Sequence, residues 1–428
     1  MKVAVIGGGY AGIAAAVTLA EHGIAATVFE AAPQLGGRAR RVVYHDTALD
    51  NGLHILVGAY RETLRLIELV NRDAGSALLR LPLDWQVHGH FRLRAARLPA
   101  PLHLALGLLT ARGASFGERG AAATFMHAMR KMNFRLPQDM PVSELLRRHR
   151  QGAAFTRHLW HPLCIAALNT PPDIASAQVF VNVLRDSLSA GRADSEVMLS
   201  RVDLSALFPD PGADYVRSHG GQVFTGHSVD AITEDGNGFV VNARGGAFHF
   251  THVVCALPPQ RLPGVVAGLP ALAETAARVE RFEYQPIYTI YLQYPGGVAL
   301  PAPMLGLSGG PAQWVFDREA ICNQKGLVAV VISAKGPHQD MSQDELAQRM
   351  HAELGQRFGP LPAPLWARVI AEKRATFACT VDLQRPAQRT PLGNFHLAGD
   401  YTASDYPATL EAAVRSGIGC AQRVIASL

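Results

Sequence analysis

Cysteine is sparse and scattered in this chain of 428 residues: Cys164, Cys255, Cys322, Cys379 and Cys420 form no C-x-x-C pair. An odd, widely spaced set excludes a disulfide framework and reads as free buried thiols in a reducing compartment. Lysine supplies only five of the 40 basic residues, and the formal charge is a slight +5. No basic stripe with interleaved aromatics accompanies that charge, so nucleic acid is not expected as a partner. Long apolar runs are missing too. The longest, Leu98 to Leu109, is interrupted by Pro101, His103 and Gly107, well short of the ~18 residues that span a bilayer. There is no Walker loop. His158-x-x-His161-x-x-Cys164 comes nearest to a metal set, but Pro162 interrupts it and no fourth ligand is apparent, so no metal is expected. The opening MKVAVIGGG runs straight into a strand, so no signal peptide is expected. What is left is a globular chain, 48% hydrophobic, with length enough for two or three domains and a large core.

Val3 to Ile6 is a short continuous apolar run of the kind that forms a buried parallel strand. Gly7-Gly8-Gly9-Tyr10-Ala11-Gly12 follows as a G-x-G-x-x-G and opens an Ala-rich helical stretch to about His22, which Gly23 ends. Ala26 to Phe29 makes a second strand that terminates at Glu30. Each glycine has a mechanical purpose: Gly7 for the tight turn, Gly9 for close approach of a pyrophosphate, Gly12 for helix–strand packing. The helix N-terminus offers unpaired N–H groups to the phosphates, and Glu30 stands where a ribose hydroxyl needs an acceptor. A glycine-rich turn alone would say little; strand, loop, helix, strand and acid in order point to a dinucleotide. The acid at Glu30 disfavours a 2′-phosphate there, hence NADP.

Gly36-Gly37-Arg38 follows, then Asp50-Asn51-Gly52-Leu53-His54. Far along the chain, Phe395 to Asp400 reads as a strand ending in Gly399-Asp400, and a helix begins after Pro407-Ala408-Thr409-Leu410. With these motifs the chain resembles the flavin-containing amine oxidase and carotenoid (phytoene) desaturase superfamily. The resemblance implies an α/β, Rossmann-like FAD-binding domain of the GR2 type, discontinuous, with a mixed α+β substrate-binding domain. The expected division is 1–75, 205–260 and 385–428 for FAD, and 76–204 and 261–384 for substrate. It further implies FAD contacts from Gly7, Gly9, Tyr10, Ala11, Gly12, Glu30, Gly37, Arg38, Leu53, His54, Val229, Gly399, Asp400, Thr409 and Leu410. Gly221 to Pro258 reads as several strands: Gln222 to Phe224, Val229 to Ile232, Gly238 to Ala243 and Phe248 to Leu257, with a turn at Asp235-Gly236-Asn237-Gly238. No second G-x-G-x-x-G sits at a strand–helix junction, so electrons are expected to pass through an unidentified external donor.

Within the superfamily the chain more closely resembles one branch, the bacterial squalene-associated FAD enzymes, also described as hydroxysqualene dehydroxylases. Asp50 to Tyr60, Leu168-Asn169-Thr170-Pro171-Pro172 with Ala175 to Leu188, Arg201 to Pro209, Leu383 to Pro386 and Leu397 to Gly417 carry the similarity. Ser200 stands where a proline is expected, and Ser404-Asp405-Tyr406 is more polar than the expected turn. The resemblance implies reductive removal of the hydroxyl of hydroxysqualene, giving squalene for hopanoid or related lipids. The hydroxyl is an allylic or cyclopropylcarbinyl-like leaving group; once protonated, it leaves a delocalised cation that hydride can quench. Such a site needs a proton donor, an apolar tunnel and electron-rich faces. His54 is the first candidate for a polar group near the flavin, against a purely structural loop histidine. In the strand-like run Ile287 to Tyr294, period two puts Tyr288 and Tyr294 on one face and Tyr291 on the other. Tyr288 and Tyr291 are candidates for lining the tunnel or donating the proton, against core packing of at least one face. An isoprenoid substrate implies a cytoplasmic protein peripheral on the inner face of the cytoplasmic membrane. The contact is expected through about residues 91–109, where Arg92, Arg94 and Arg97 precede a leucine-rich run, unless that run is a core helix. The alternatives are a polyene desaturase, an amine oxidase and a non-catalytic prenyl-binding escort protein.

Overall fold

The apolar residues of Val3–Ile6 are buried on both faces of a sheet, pairing in parallel with Ala26–Glu30 on one side and His252–Cys255 on the other. Gln222–Thr225 and Phe395–Leu397 complete the two edges, giving a five-stranded, all-parallel sheet drawn from three distant stretches of chain. The computed structural model describes residues 2–189, 191–236 and 238–427; Asn237 of the expected turn lies outside them. Helix Tyr10–Glu21 is buried along nearly its whole length, as its alanines permit. Helix Leu410–Ile425 lies against it, and a Cβ on Gly417 would fall 2.1 Å from the Ala11 carbonyl oxygen. Only a glycine lets two helix backbones pass that close.

A second, seven-stranded sheet runs Trp366–Phe377, Tyr284–Gln293, Leu327–Ser333, Trp314–Asp317, Met304–Gly306, Asp84–Val87, Phe91–Arg94. It is antiparallel except for the join between Gly306 and Val87. Helix Gln343–Phe358, started by a Ser342–Glu345 capping box, covers one face. The parallel sheet with its helices and this mixed sheet with its cover are the Rossmann-like and α+β halves of the expected fold class. A helical layer between residues 102 and 189 packs Phe125, Phe155, Trp160 and Phe180 into a core that it shares with one face of the parallel sheet.

Two expectations change. The run Phe248 to Leu257 is not one strand. Gly246–Phe250 closes an antiparallel three-stranded meander with Val229–Asp235 and Gly238–Ala243, and His252–Cys255 enters the parallel sheet. Thr251 makes the switch: its N–H donates to the Lys2 carbonyl at 2.9 Å and its hydroxyl accepts from the Lys2 N–H at 3.1 Å. The apolar run from Leu98 contains a helix only over Leu102–Leu109.

Candidate active site

Where the Val3–Ile6 strand meets its helix, the N-cap is Gly9, extended and with no side-chain cap. The first N–H groups of a helix have no partner within it, and here they open on a cleft of about 620 Å³ lined by Gly7, Gly9, Tyr10 and Ala11. Gly12 lies beneath the turn. A Cβ there would sit 1.9 Å from the Gly7 carbonyl oxygen, so the helix reaches the strand end only without a side chain. Glu30 is held at both carboxylate oxygens, by the Gly8 N–H at 2.6 Å and the Ala32 N–H at 2.8 Å. Its neighbour His227 donates its own N–H to the Glu30 carbonyl at 2.8 Å, and His227, Val229 and Asp230 line the same end of the cleft.

A second group of lining residues gathers about an ion pair. Arg38 donates to Asp400 at 2.7 Å and to the Ala375 carbonyl at 2.5 Å, while Asn51 donates to the Arg38 carbonyl at 3.1 Å. Burial alone would weaken the guanidinium's hold on its proton, but Asp400 more than offsets this and the Arg38 pKa is raised. Gly37, His54, Gly399, Tyr401, Thr409 and Leu410 stand around the pair. Burial, with the Arg38 charge adding to it, lowers the His54 pKa to about 4, so the imidazole is neutral at pH 7. Thr409 caps helix Leu410–Ile425 by accepting from the Ala412 N–H at 3.2 Å. The Tyr401 hydroxyl is buried and has no hydrogen-bond partner among the described residues. Burial first, then the charges around Cys255 and Asp400, raise its pKa well above that of free tyrosine.

Residues 10–425 match the family described as flavin containing amine oxidoreductase. The chain belongs to the flavin-containing amine oxidoreductase family. It is 29% identical to the hydroxysqualene dehydroxylase of Rhodopseudomonas palustris over 439 residues, covering 99% of this chain and 98% of the relative. It is 26% identical to that of Zymomonas mobilis, with 96% of both covered. Among solved structures, a putative protoporphyrinogen oxidase from Exiguobacterium superposes with a TM-score of 0.73 at 16% identity over 100% of this chain and 99% of that one. The cofactor of this flavin-containing oxidoreductase is FAD. The residues present fit it: an uncapped helix start for the pyrophosphate, the fixed Glu30 carboxylate for a ribose, and a cleft continuing to the Arg38–Asp400 pair.

Tyr10 lines the cleft, and its side-chain hydroxyl donates to the Leu204 carbonyl at 2.9 Å. Leu53 does not line the cleft, packing instead beside Tyr291 and Trp314. The two tyrosines expected near the chemistry are corrected by the structure. Tyr288 shares a face with Ile290, Leu292 and Tyr294 under helix Gln343–Phe358, its ring edge-on to His338. Tyr291 faces the other way, fully buried, its hydroxyl donating to the Asp50 carbonyl at 2.9 Å. The parity was right, but both faces are core. Conversely, Glu372, Arg374 and Ala375 from the end of the long strand Trp366–Phe377 line the cleft without any motif to announce them. Tyr401 had a local signal, its place directly after Gly399-Asp400.

Proposed function

We propose that this protein catalyses the FAD-dependent reductive dehydroxylation of hydroxysqualene to squalene. The observation that carries the reading is near-full-length similarity to hydroxysqualene dehydroxylases. Reduced FAD supplies the hydride that forms the new C–H bond. The C–O bond breaks as its oxygen gains a proton and leaves as water, and the protein must bring that proton. His54, neutral at pH 7, is a weak acid and serves as a hydrogen-bond partner beside the Arg38–Asp400 pair. We assign the donor role to the Tyr401 O–H because its hydrogen-bonding capacity is unspent, although burial makes it a weaker acid than free tyrosine. On this reading residues 1–75, 205–260 and 385–428 form the cofactor half, and 76–204 and 261–384 the substrate half.

The amine oxidase alternative wants paired aromatic faces at the flavin. Tyr406 does not supply one: Arg415 lies over its ring at 5.1 Å, and the residue is not part of the cleft wall. An isoprenoid substrate belongs in bilayers, so the enzyme works at a membrane surface, the inner face of the cytoplasmic membrane on this reading; no helix among the described residues is long and apolar enough to cross one. The reductant is an external molecule.

An anaerobic single turnover tests the proposal. The flavin is reduced chemically, hydroxysqualene is added in detergent, and the oxidised flavin band and the extracted lipid are followed. Flavin reoxidation with one squalene per flavin is the expected result. A flavin that stays reduced overturns the proposal and directs attention to a polyene desaturase, read with oxidised enzyme and a quinone. Tyr401→Phe is expected to slow reoxidation by roughly 10²-fold or more, the usual contribution of a general acid, with flavin content unchanged.

A further inference from the structure

Away from the flavin cleft, helix Leu102–Leu109 is apolar on both sides. Its inner side buries Leu104 and Leu108. Its outer side leaves Leu102 57%, Leu106 43% and Leu109 49% exposed, and Leu98 just before it is 38% exposed. Positions 102, 106 and 109 are spaced by four and three and so form one stripe. A helix that is hydrophobic all round requires apolar cover on both sides, and a cluster of exposed leucines, unlike a single one, marks a contact surface.

Beside the stripe lies a second cavity of about 750 Å³, with Leu106 in its wall and four arginines around it: Arg80, Arg94, Arg97 and Arg192. Glu196 is the one carboxylate in that wall among the described residues, and it pairs loosely with Arg80 at 3.5 Å. Arg94, Arg97 and Arg192 form no ion pair among the described residues. Guanidinium groups are the side chains best shaped to grip a phosphate. The juxtaposition of a leucine stripe and a basic cavity therefore has two requirements, an apolar layer and an anionic layer in immediate succession.

We propose that this face docks on an anionic phospholipid bilayer, with the leucines entering the acyl boundary and the arginine cavity holding a phosphate headgroup above it. A second copy of the chain would cover the leucines, but a two-fold contact brings each basic cavity against its twin. The inference rests on the dehydroxylase reading in that both set the protein at a membrane, but it names the docking face and is measured without turnover, so the two can fail separately.

The experiment is flotation of the FAD-loaded full-length protein with vesicles of phosphatidylcholine, or with vesicles in which a third of it is replaced by phosphatidylglycerol. Binding is expected to require phosphatidylglycerol and to weaken with salt. Arg94→Glu with Arg97→Glu, both exposed and free of structural partners, is expected to reduce binding by at least tenfold, since each basic residue near such a surface contributes roughly a fivefold preference. Leu102→Ser with Leu106→Ser is expected to reduce it as well. Equal binding to both vesicles, or either double variant floating like the parent, overturns the proposal. So does loss of flotation on adding inorganic phosphate at constant ionic strength, which would assign the cavity to the free ion.

Discussion

Gly9 and Gly12 belong to one turn but make different demands on it. An added Cβ at Gly12 meets the Gly7 carbonyl oxygen at 1.9 Å, whereas at Gly9 the nearest atom is Gly37 Cα at 3.8 Å. Gly12→Ala is therefore expected to disrupt the protein itself, giving little soluble, flavin-free material. Gly9→Ala is expected to fold with an unchanged thermal midpoint and to weaken FAD by tenfold or more, about 1.4 kcal/mol, because only the cofactor competes for that space; flavin titration of the apoprotein reads it. His54 supplies a pH prediction. With a pKa of about 4, it takes no proton between pH 8 and 6, and imidazole NMR shifts are expected to stay at neutral values across that range. The turn glycines and Glu30 could be read from sequence because their work is done within thirty residues by backbone geometry. Tyr288 and Tyr291 could not, since alternation gives the two faces of a strand but not what a remote helix lays over them.

One pair of helices here is joined by a buried charge as well as by apolar packing. Glu411, in the first turn of helix Leu410–Ile425 and fully buried, accepts from the Thr63 N–H at 2.9 Å, the Thr63 hydroxyl at 2.7 Å and the Glu62 N–H at 3.2 Å. It also pairs with Arg415 at 2.6 Å. One carboxylate thus caps helix Arg61–Val70 from another helix, where the positive end of the dipole favours it. Glu411→Ala leaves those donors and Arg415 unmatched, and the expected loss is about 3 kcal/mol, seen as a lower urea midpoint with an unchanged m-value. Flavin affinity should fall with it, because Thr409 and Leu410 ride on the same helix. Sequence patterning found this helix and the one at Tyr10–Glu21 from their punctuation. It joined Phe248 to Leu257 into one strand because nothing local marks Thr251 as the point where a chain leaves one sheet for another.

Across the whole molecule, buried histidines set the sign of the acid response, His54 and His396 most strongly. His54 and His396 both have their pKa lowered to about 4 from about 6.5, chiefly by burial. The unfolded chain therefore binds more protons between those values, and stability falls as the pH drops through that window, by at most about 1.4 kcal/mol per pH unit for each group. Asp50 opposes them. Burial raises its pKa to about 6, so its contribution is present at low pH and is lost as the pH rises through 6. The urea midpoint is expected to fall between pH 7 and pH 5, and His396→Gln to flatten the slope; a midpoint that rises on acidification would contradict this account. The parallel sheet was legible from its fingerprint. The seven-stranded sheet was not, because its antiparallel strands are irregularly spaced and close over connections of very different lengths. The parallel sheet has a last consequence, in time. Its edge strand Phe395–Leu397, and the cleft residues from Gly399 to Ala413 beyond it, leave the ribosome after every other residue that walls the cleft. The nascent chain therefore keeps its parallel sheet one strand short until then, and the flavin cleft is complete only once residues 395–413 have emerged.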